Sequence, residues 1–281
     1  MGSAIMSAAW VISAALYCAG PVYALDNGAI RIEVEPRLFA VRFVGFRDRD
    51  NFVAALPLDE AAANGTDWAD PGGVQSDVIP YSAQDAAVRR GPAEVVEVRG
   101  DYIAMLGPPS AVSGVRLKKE IQLDGDAPRA HFRVTAQRAG AEPAAVALRN
   151  TVRLAPKCTV RVERTDGDLR VLAGSDAPLA GIVKSRRYWL VPIPPTTPLH
   201  GVVLGSVAPK TIIVNDAGTW TRTLIDPPTD KSQVPNESTL LCVLDSDTTS
   251  YGAALQGARV ELKTGEFVVL EEEWTFDKRG N

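Results

Sequence analysis

An all-β sandwich or barrel is predicted by three observations. Runs of alternating apolar and polar residues recur along the chain, and long helical periodicity is nearly absent. Gly and Pro, 23 and 20 of the 281 residues, punctuate it at short intervals. An apolar share of 46% is enough to bury a core. The formal net charge of −4 argues against generic nucleic-acid binding, which needs a basic face.

Residues 1–24 read as a secretory signal, leaving 25–281 as a single domain. The apolar run Ala8 to Ala19 is too short to span a bilayer comfortably. Val22-Tyr-Ala24 places small residues where a cleavage site is expected. No Lys or Arg precedes the apolar run, so an uncleaved anchor is the alternative. Cys18 follows Tyr17, which is too large for a lipoprotein signal. Cleavage would leave a periplasmic or secreted protein with no stable membrane span. It would also leave Cys158 and Cys242, either paired in an oxidising compartment or buried as free thiols.

The first strands fall at Ala29–Val34 and Leu38–Val44, with Pro36 between them. Asn51 to Pro80 reads as a long loop rich in Asp, Gly and Pro. Trp68 within it serves either as a stacking platform or as an apolar pin. Asp67, Asp70 and Asp77 are spaced too irregularly for a calcium loop, and no metal or cofactor is expected. Short strands follow at Glu94–Val98 and Tyr102–Leu106.

Three alternating runs organise the centre. Val115–Leu123 sets Val115, Leu117, Ile121 and Leu123 on one row. Arg129–Gln137 sets Ala130, Phe132, Val134 and Ala136 against Arg129, His131, Arg133, Thr135 and Gln137. Ala144–Leu154 sets Val146, Leu148, Val152 and Leu154 against Arg149, Thr151 and Arg153. Paired as neighbours, the three make a sheet with one apolar and one cationic face. Asn150 interrupts the apolar row and needs partners if buried.

Further strands read at Thr159–Val162, Leu169–Leu172, Val202–Val207, Thr211–Val214, Trp220–Leu224, Ser238–Asp245, Tyr251–Leu255, Ala258–Leu262 and Phe267–Phe276. Gly174 to Pro209 reads as an irregular, Pro-rich loop. It carries Arg186-Arg-Tyr-Trp189, a cationic aromatic cluster that suits a sugar or an anion as well as plain packing. Glu271-Glu-Glu273 reads as a solvated strand end. The chain holds no Gly-rich phosphate loop, no zinc spacing of Cys and His and no Gly-x-Ser-x-Gly elbow. Its two histidines, His131 and His200, are far apart.

The stretch from Ser113 to Leu154 resembles the core of the galactose mutarotase-like superfamily, a β-supersandwich of carbohydrate-active and carbohydrate-binding proteins. Lys118-Lys-Glu-Ile-Gln-Leu123, the turn after it and Leu148-Arg-Asn-Thr151 carry the likeness. Tyr251-Gly-Ala-Ala-Leu-Gln256, Leu262-Lys-Thr-Gly-Glu266 and Trp274-Thr-Phe276 extend it over most of residues 25–281. The likeness is nearer to exported bacterial members than to the epimerases. Those epimerases use a His as general acid and a Glu as general base. The resemblance puts the His near Ala147 and the Glu at Ala254, so it implies that epimerase activity is absent. It also implies that the row of Ala147, Arg149, Thr151 and Arg153 lines a concave binding face. His131, Arg133 and Lys118 are expected to project the same way, with Trp189 as the aromatic partner. A carbohydrate is the expected ligand, and the cationic face favours an anionic one. Two alternatives stay open: a divergent epimerase or polysaccharide lyase with His131 as base and Arg149 neutralising a uronate, and a non-catalytic envelope scaffold.

Overall fold

Alternation decides which way each side chain faces, and it sorts the described strands into two antiparallel sheets. The computed structural model describes residues 21–49, 51–55, 72–80, 88, 91–164, 169–174, 181–194, 201–245 and 250–279. The first part of the chain gives β1 (Tyr23–Asp26), β2 (Ile30–Glu35), β3 (Ala40–Phe46), β4 (Val74–Ile79), β5 (Glu94–Arg99) and β6 (Tyr102–Pro109). The centre gives β7 (Val115–Leu123), β8 (Arg129–Arg138), β9 (Ala144–Arg153), β10 (Thr159–Glu163), β11 (Arg170–Ala173), β12 (Val183–Lys184) and β13 (Tyr188–Pro192). Then come β14 (Val202–Ser206), β15 (Lys210–Val214), β16 (Gly218–Leu224), β17 (Leu240–Asp245), β18 (Ser250–Gln256), β19 (Val260–Leu262) and β20 (Phe267–Lys278).

The first sheet runs β1-β2-β3-β4-β9-β18-β17-β14-β11, with β19 also paired to β9. The second runs β12-β13-β10-β15-β16-β20-β8-β7-β6-β5. The apolar rows of both meet in one core. Ala130, Phe132, Val134 and Ala136 of β8 face Val146, Leu148 and Val152 of β9 across it.

This arrangement corrects the expectation that the three central runs are neighbours. β7 and β8 do pair, Val115 opposite Arg138 through Leu123 opposite Ala130. β9 leaves for the other sheet, where it lies between β4 and β18. The chain crosses the core between β8 and β9, so their polar rows face away from each other.

Two stretches read as irregular contain strands. β4 lies inside the expected loop 51–80, and β12 and β13 lie inside 174–209. β4 reads Val-Gln-Ser-Asp-Val-Ile and all but its last residue are buried, so it shows no half-exposed alternation. Gly73 lets it dock: its φ is +74, and a Cβ there would lie 1.9 Å from the Val41 carbonyl oxygen. At the N-terminus, the expected boundary after Ala24 falls within β1, where Tyr23 pairs with Val34 and Ala24 with Glu33. Trp68, Asp67, Asp70, His200 and Cys18 lie outside the described residues. Among those residues, no helix is long and apolar enough to cross a membrane.

Glu271-Glu-Glu273 is not a solvated strand end. Glu272 is fully buried and pairs with the equally buried Arg222 of β16. Arg222 donates from Nε to Glu272 Oε2 at 2.8 Å and from Nη2 to Oε1 at 2.8 Å. The same guanidinium reaches the Asn150 and Ala253 carbonyl oxygens of the facing sheet, at 3.0 and 3.2 Å. Asn150 donates to Glu272 at 3.0 Å and accepts from Ser76 at 2.6 Å, and Trp274 Nε1 donates to Glu272 at 2.8 Å. Asn150 is therefore a satisfied core amide. Around the pair, Trp274 stacks on Phe132 at 4.8 Å and meets Trp220 edge-on at 5.0 Å.

Cys158 and Cys242 are unpaired and buried. Burial pushes both thiols up to about 12, which keeps them protonated at neutral pH. In a chain starting at residue 21, neither thiol is expected to react with a disulfide reagent at pH 8 until denaturant is added; prompt reaction of either would contradict this burial. Removing one member of a buried ion pair leaves a lone charge, a loss of roughly 3–5 kcal/mol. Glu272→Ala is thus expected to lower the urea midpoint sharply. The double variant Arg222→Met with Glu272→Leu should lower it less, and a double variant as unstable as the single one would count against this account.

Candidate functional site

The outer face of the first sheet carries a polar strip at β4, β9 and β18. Register aligns it: Asp77, Arg149 and Gln256 form one row across the three strands, and Gln75, Thr151 and Ala254 form the next. These positions alternate with the core-facing Ser76, Asn150 and Leu255. An outward sheet face is usually wet, yet Gln75, Asp77 and Gln256 are at most 2% exposed. Gln256 Nε2 donates to the carbonyl oxygens of Pro235 at 2.7 Å and Ser238 at 2.5 Å. Asp77 Oδ2 lies 3.5 Å from Arg149 Nη2.

Two atoms of the strip stand out on hydrogen-bonding grounds. Arg149 Nε and Gln75 Oε1 are buried and have no hydrogen-bond partner among the described residues. Leaving a buried polar group unpaired costs about 1–3 kcal/mol, so native structures rarely keep one without a role. One atom is an N–H donor and the other a carbonyl acceptor, on diagonal neighbours of adjacent strands. A single hydroxyl group both accepts and donates, so it complements such a pair.

The acid–base positions can also be placed. Thr151, not Ala147, stands opposite Ala254. Ala147 pairs with Ile79, four residues further along β9 and so roughly 13 Å away. None of the three side chains at the positions that the resemblance implies for the acid and the base titrates.

The expected site residues do not converge. Arg149 belongs to the strip just described. Lys118, His131 and Arg133 project from β7 and β8 on the outer face of the second sheet, with the core between them and Arg149. Packed sheets lie about 10 Å apart, and here the side chains point in opposite directions. His131 and Arg149 therefore cannot act together on one uronate. Trp189 lies five strands from β8, on the row of β13 opposite the buried Val162, and packs against the core. Its ring carries Lys184 at 4.9 Å and Arg164 at 6.0 Å.

His131 and Arg133 line a recess of about 280 Å³ with Tyr102, Glu120, Gln122 and Glu271. Its charges are paired within the face. Lys118 Nζ lies 2.8 Å from Glu120, and Arg133 Nε lies 3.0 Å from Glu271. Tyr102 donates its hydroxyl to Glu120 at 2.8 Å. Burial, then that bond and the carboxylate charge, push Tyr102 up to about 12. Burial pulls Glu120 upward, but the bonds from Lys118 and Tyr102 outweigh it and hold the carboxyl below its ordinary value. Its stabilising effect is therefore present above the unfolded pKa and lost as the pH falls through the lowered folded value.

Gln75, Asp77 and Gln256 were not legible as site residues. The first two sit in a strand that reads as loop, and Gln256 reads only as a landmark of the C-terminal motif. Gly72-Gly73 before Val74, a backbone-crowding signal, was the available clue to β4.

The chain superposes on solved mutarotase-like structures over most of its length. A galactose mutarotase-like protein from Lactobacillus casei superposes with a TM-score of 0.58 at 12% identity, covering 92% of this chain and 100% of the other. A galactose mutarotase related enzyme from Lactobacillus acidophilus gives 0.57 at 10% identity, with 92% and 98% covered. An aldose epimerase homologue from C. elegans gives 0.59 at 10% identity, with 92% and 99% covered. No protein-family model matches the chain, and no curated protein matches it by sequence. The chain therefore has the galactose mutarotase-like fold, an all-β supersandwich.

Replacing Glu120 by Gln is expected to move Tyr102 down from about 12 toward the ordinary 10.0, as read by its ring resonances against pH. An unchanged titration would show that the carboxylate does not act on it.

Proposed function

We propose that this chain is an exported carbohydrate-binding protein of the mutarotase-like superfamily that lacks an epimerase acid–base pair. The orphan donor and acceptor of the polar strip, Arg149 Nε and Gln75 Oε1, carry this reading. Sugar hydroxyls complete such pairs two bonds at a time, and the Asp77, Thr151 and Gln256 side chains extend the same row of donors and acceptors. The fold supports a carbohydrate as the ligand class, since the solved structures it matches include mutarotase-like proteins. An acidic sugar gains a charge-assisted bond from Arg149, whose contact with Asp77 at 3.5 Å is long.

The absence of turnover rests on chemistry. Anomer exchange needs a proton delivered to the ring oxygen and another taken from the anomeric hydroxyl. Thr151, Ala147 and Ala254 can do neither at neutral pH. Export to the periplasm or medium rests on the apolar leader before Ala24.

A glycan array that includes uronate polymers, probed with the parent protein and Arg149→Ala, tests the binding. The expected result is retention of one glycan class, weakened by about tenfold or more in the variant, as for loss of a charge-assisted hydrogen bond. No retention of any glycan favours an envelope scaffold instead. Anomer exchange of galactose and glucose, followed by NMR, is expected to run at the uncatalysed rate; acceleration abolished by Asp77→Asn would make the strip an active site.

A further inference from the structure

In a chain of net charge −4, the β12–β13 hairpin gathers cations at one tip. Lys184, Arg186 and Arg187 lie in six consecutive residues that end in Tyr188 and Trp189, and Arg164 joins them from the end of β10. All four cations are exposed.

The tip is built rather than loose. Arg164 Nη1 donates to the carbonyl oxygens of Ser185 at 3.0 Å and Arg186 at 3.4 Å, clasping the turn. Ser185 closes it with bonds to and from the Tyr188 backbone at 2.8 and 2.9 Å. Lys184 and Arg164 sit against the Trp189 ring, and Arg187 lies 5.3 Å from the Tyr188 ring centre. Glu163 is the acidic partner described here, 3.1 Å from Arg187 and 3.3 Å from Lys210. Val183, beside Lys184, is 55% exposed.

The shape selects the kind of anion. Among the described residues, the recesses of about 190, 280 and 400 Å³ are lined by residues outside the tip. The Trp189 ring already holds two cations and is not free to stack on a sugar. Four exposed cations edged by an exposed valine fit an extended negative surface by charge complementarity. Basic residues near an anionic leaflet each add attraction, and an aliphatic side chain adds shallow insertion.

We propose that this hairpin docks the protein onto the surface of an anionic phospholipid bilayer. The inference stands apart from the carbohydrate reading. It uses neither Arg149 nor Gln75, and it leaves the polar strip, on the outer face of the other sheet, clear of lipid.

Co-sedimentation with phosphatidylcholine vesicles, with and without about 30% phosphatidylglycerol, tests it using the full chain freed of its leader and the double variant Arg186→Glu with Arg187→Glu. The expected result is binding to the anionic vesicles alone, weakened at least about tenfold by the double reversal. Binding by the parent protein should also be lost at about 0.5 M NaCl, where separated charges are screened, a readout that needs no variant. Equal binding to both vesicles, no binding to the anionic ones at low salt, or binding untouched by the reversal overturns it. Retention of polygalacturonate by the tip, with vesicles ignored, also overturns it and makes an acidic glycan the occupant.

Discussion

A buried cation at the centre of the core ties the two sheets together. Arg222, on the second sheet, holds Glu272 beside it and reaches across the core to carbonyl oxygens of β9 and β18. Burying two charges is costly, and the loss is offset only when each hydrogen-bonding atom finds a partner. Here Nε, Nη1 and Nη2 of Arg222 donate, and Glu272 receives Arg222, Asn150 and Trp274. A purely apolar core would tolerate sliding of one sheet over the other. This network accepts one relative placement, because moving β9 by one residue would replace Asn150 with a side chain facing the wrong way.

That placement also aligns a coherent polar strip on the far side of the same strands. Ser76 and Asn150 point inward to the network, so Gln75, Asp77, Arg149 and Thr151 point outward. The polar residues of β4 are thus divided between the core network and the outward strip by parity alone. Ser76, Asn150, Arg222 and Glu272 are hydrogen-bonded to one another, whereas the outward strip keeps a donor and an acceptor without a partner among the described residues.

The all-β class and most strand positions were legible because β7, β8, β9 and β20 keep one face dry and one face wet. What was not legible follows from the same rule. β4 is buried on both faces and rich in polar residues, so it carries no alternation to detect. Glu272 and Asn150 break the apolar rows they occupy, and only their partners 50 and 122 positions away in sequence, Arg222 and Glu272, explain them. The grouping of Lys118, His131 and Arg133 with Arg149 failed for a topological reason. Three successive runs look like a meander in one dimension, and nothing in the loop at Gly140 announces that the next strand crosses the core. Of the candidate site, Arg149 was readable, while the glutamines and Asp77 needed the register.

The most direct measurement is the Nε–H resonance of Arg149 in a ¹⁵N-labelled protein as an array-positive oligosaccharide is added. The Arg149 Nε–H has no partner among the described residues, so formation of a hydrogen bond to the sugar is expected to shift and sharpen that signal, together with the side-chain amide of Gln75. Shifts confined to His131, Arg133 and Tyr102 on the opposite face, with Arg149 and Gln75 unmoved, would contradict the account.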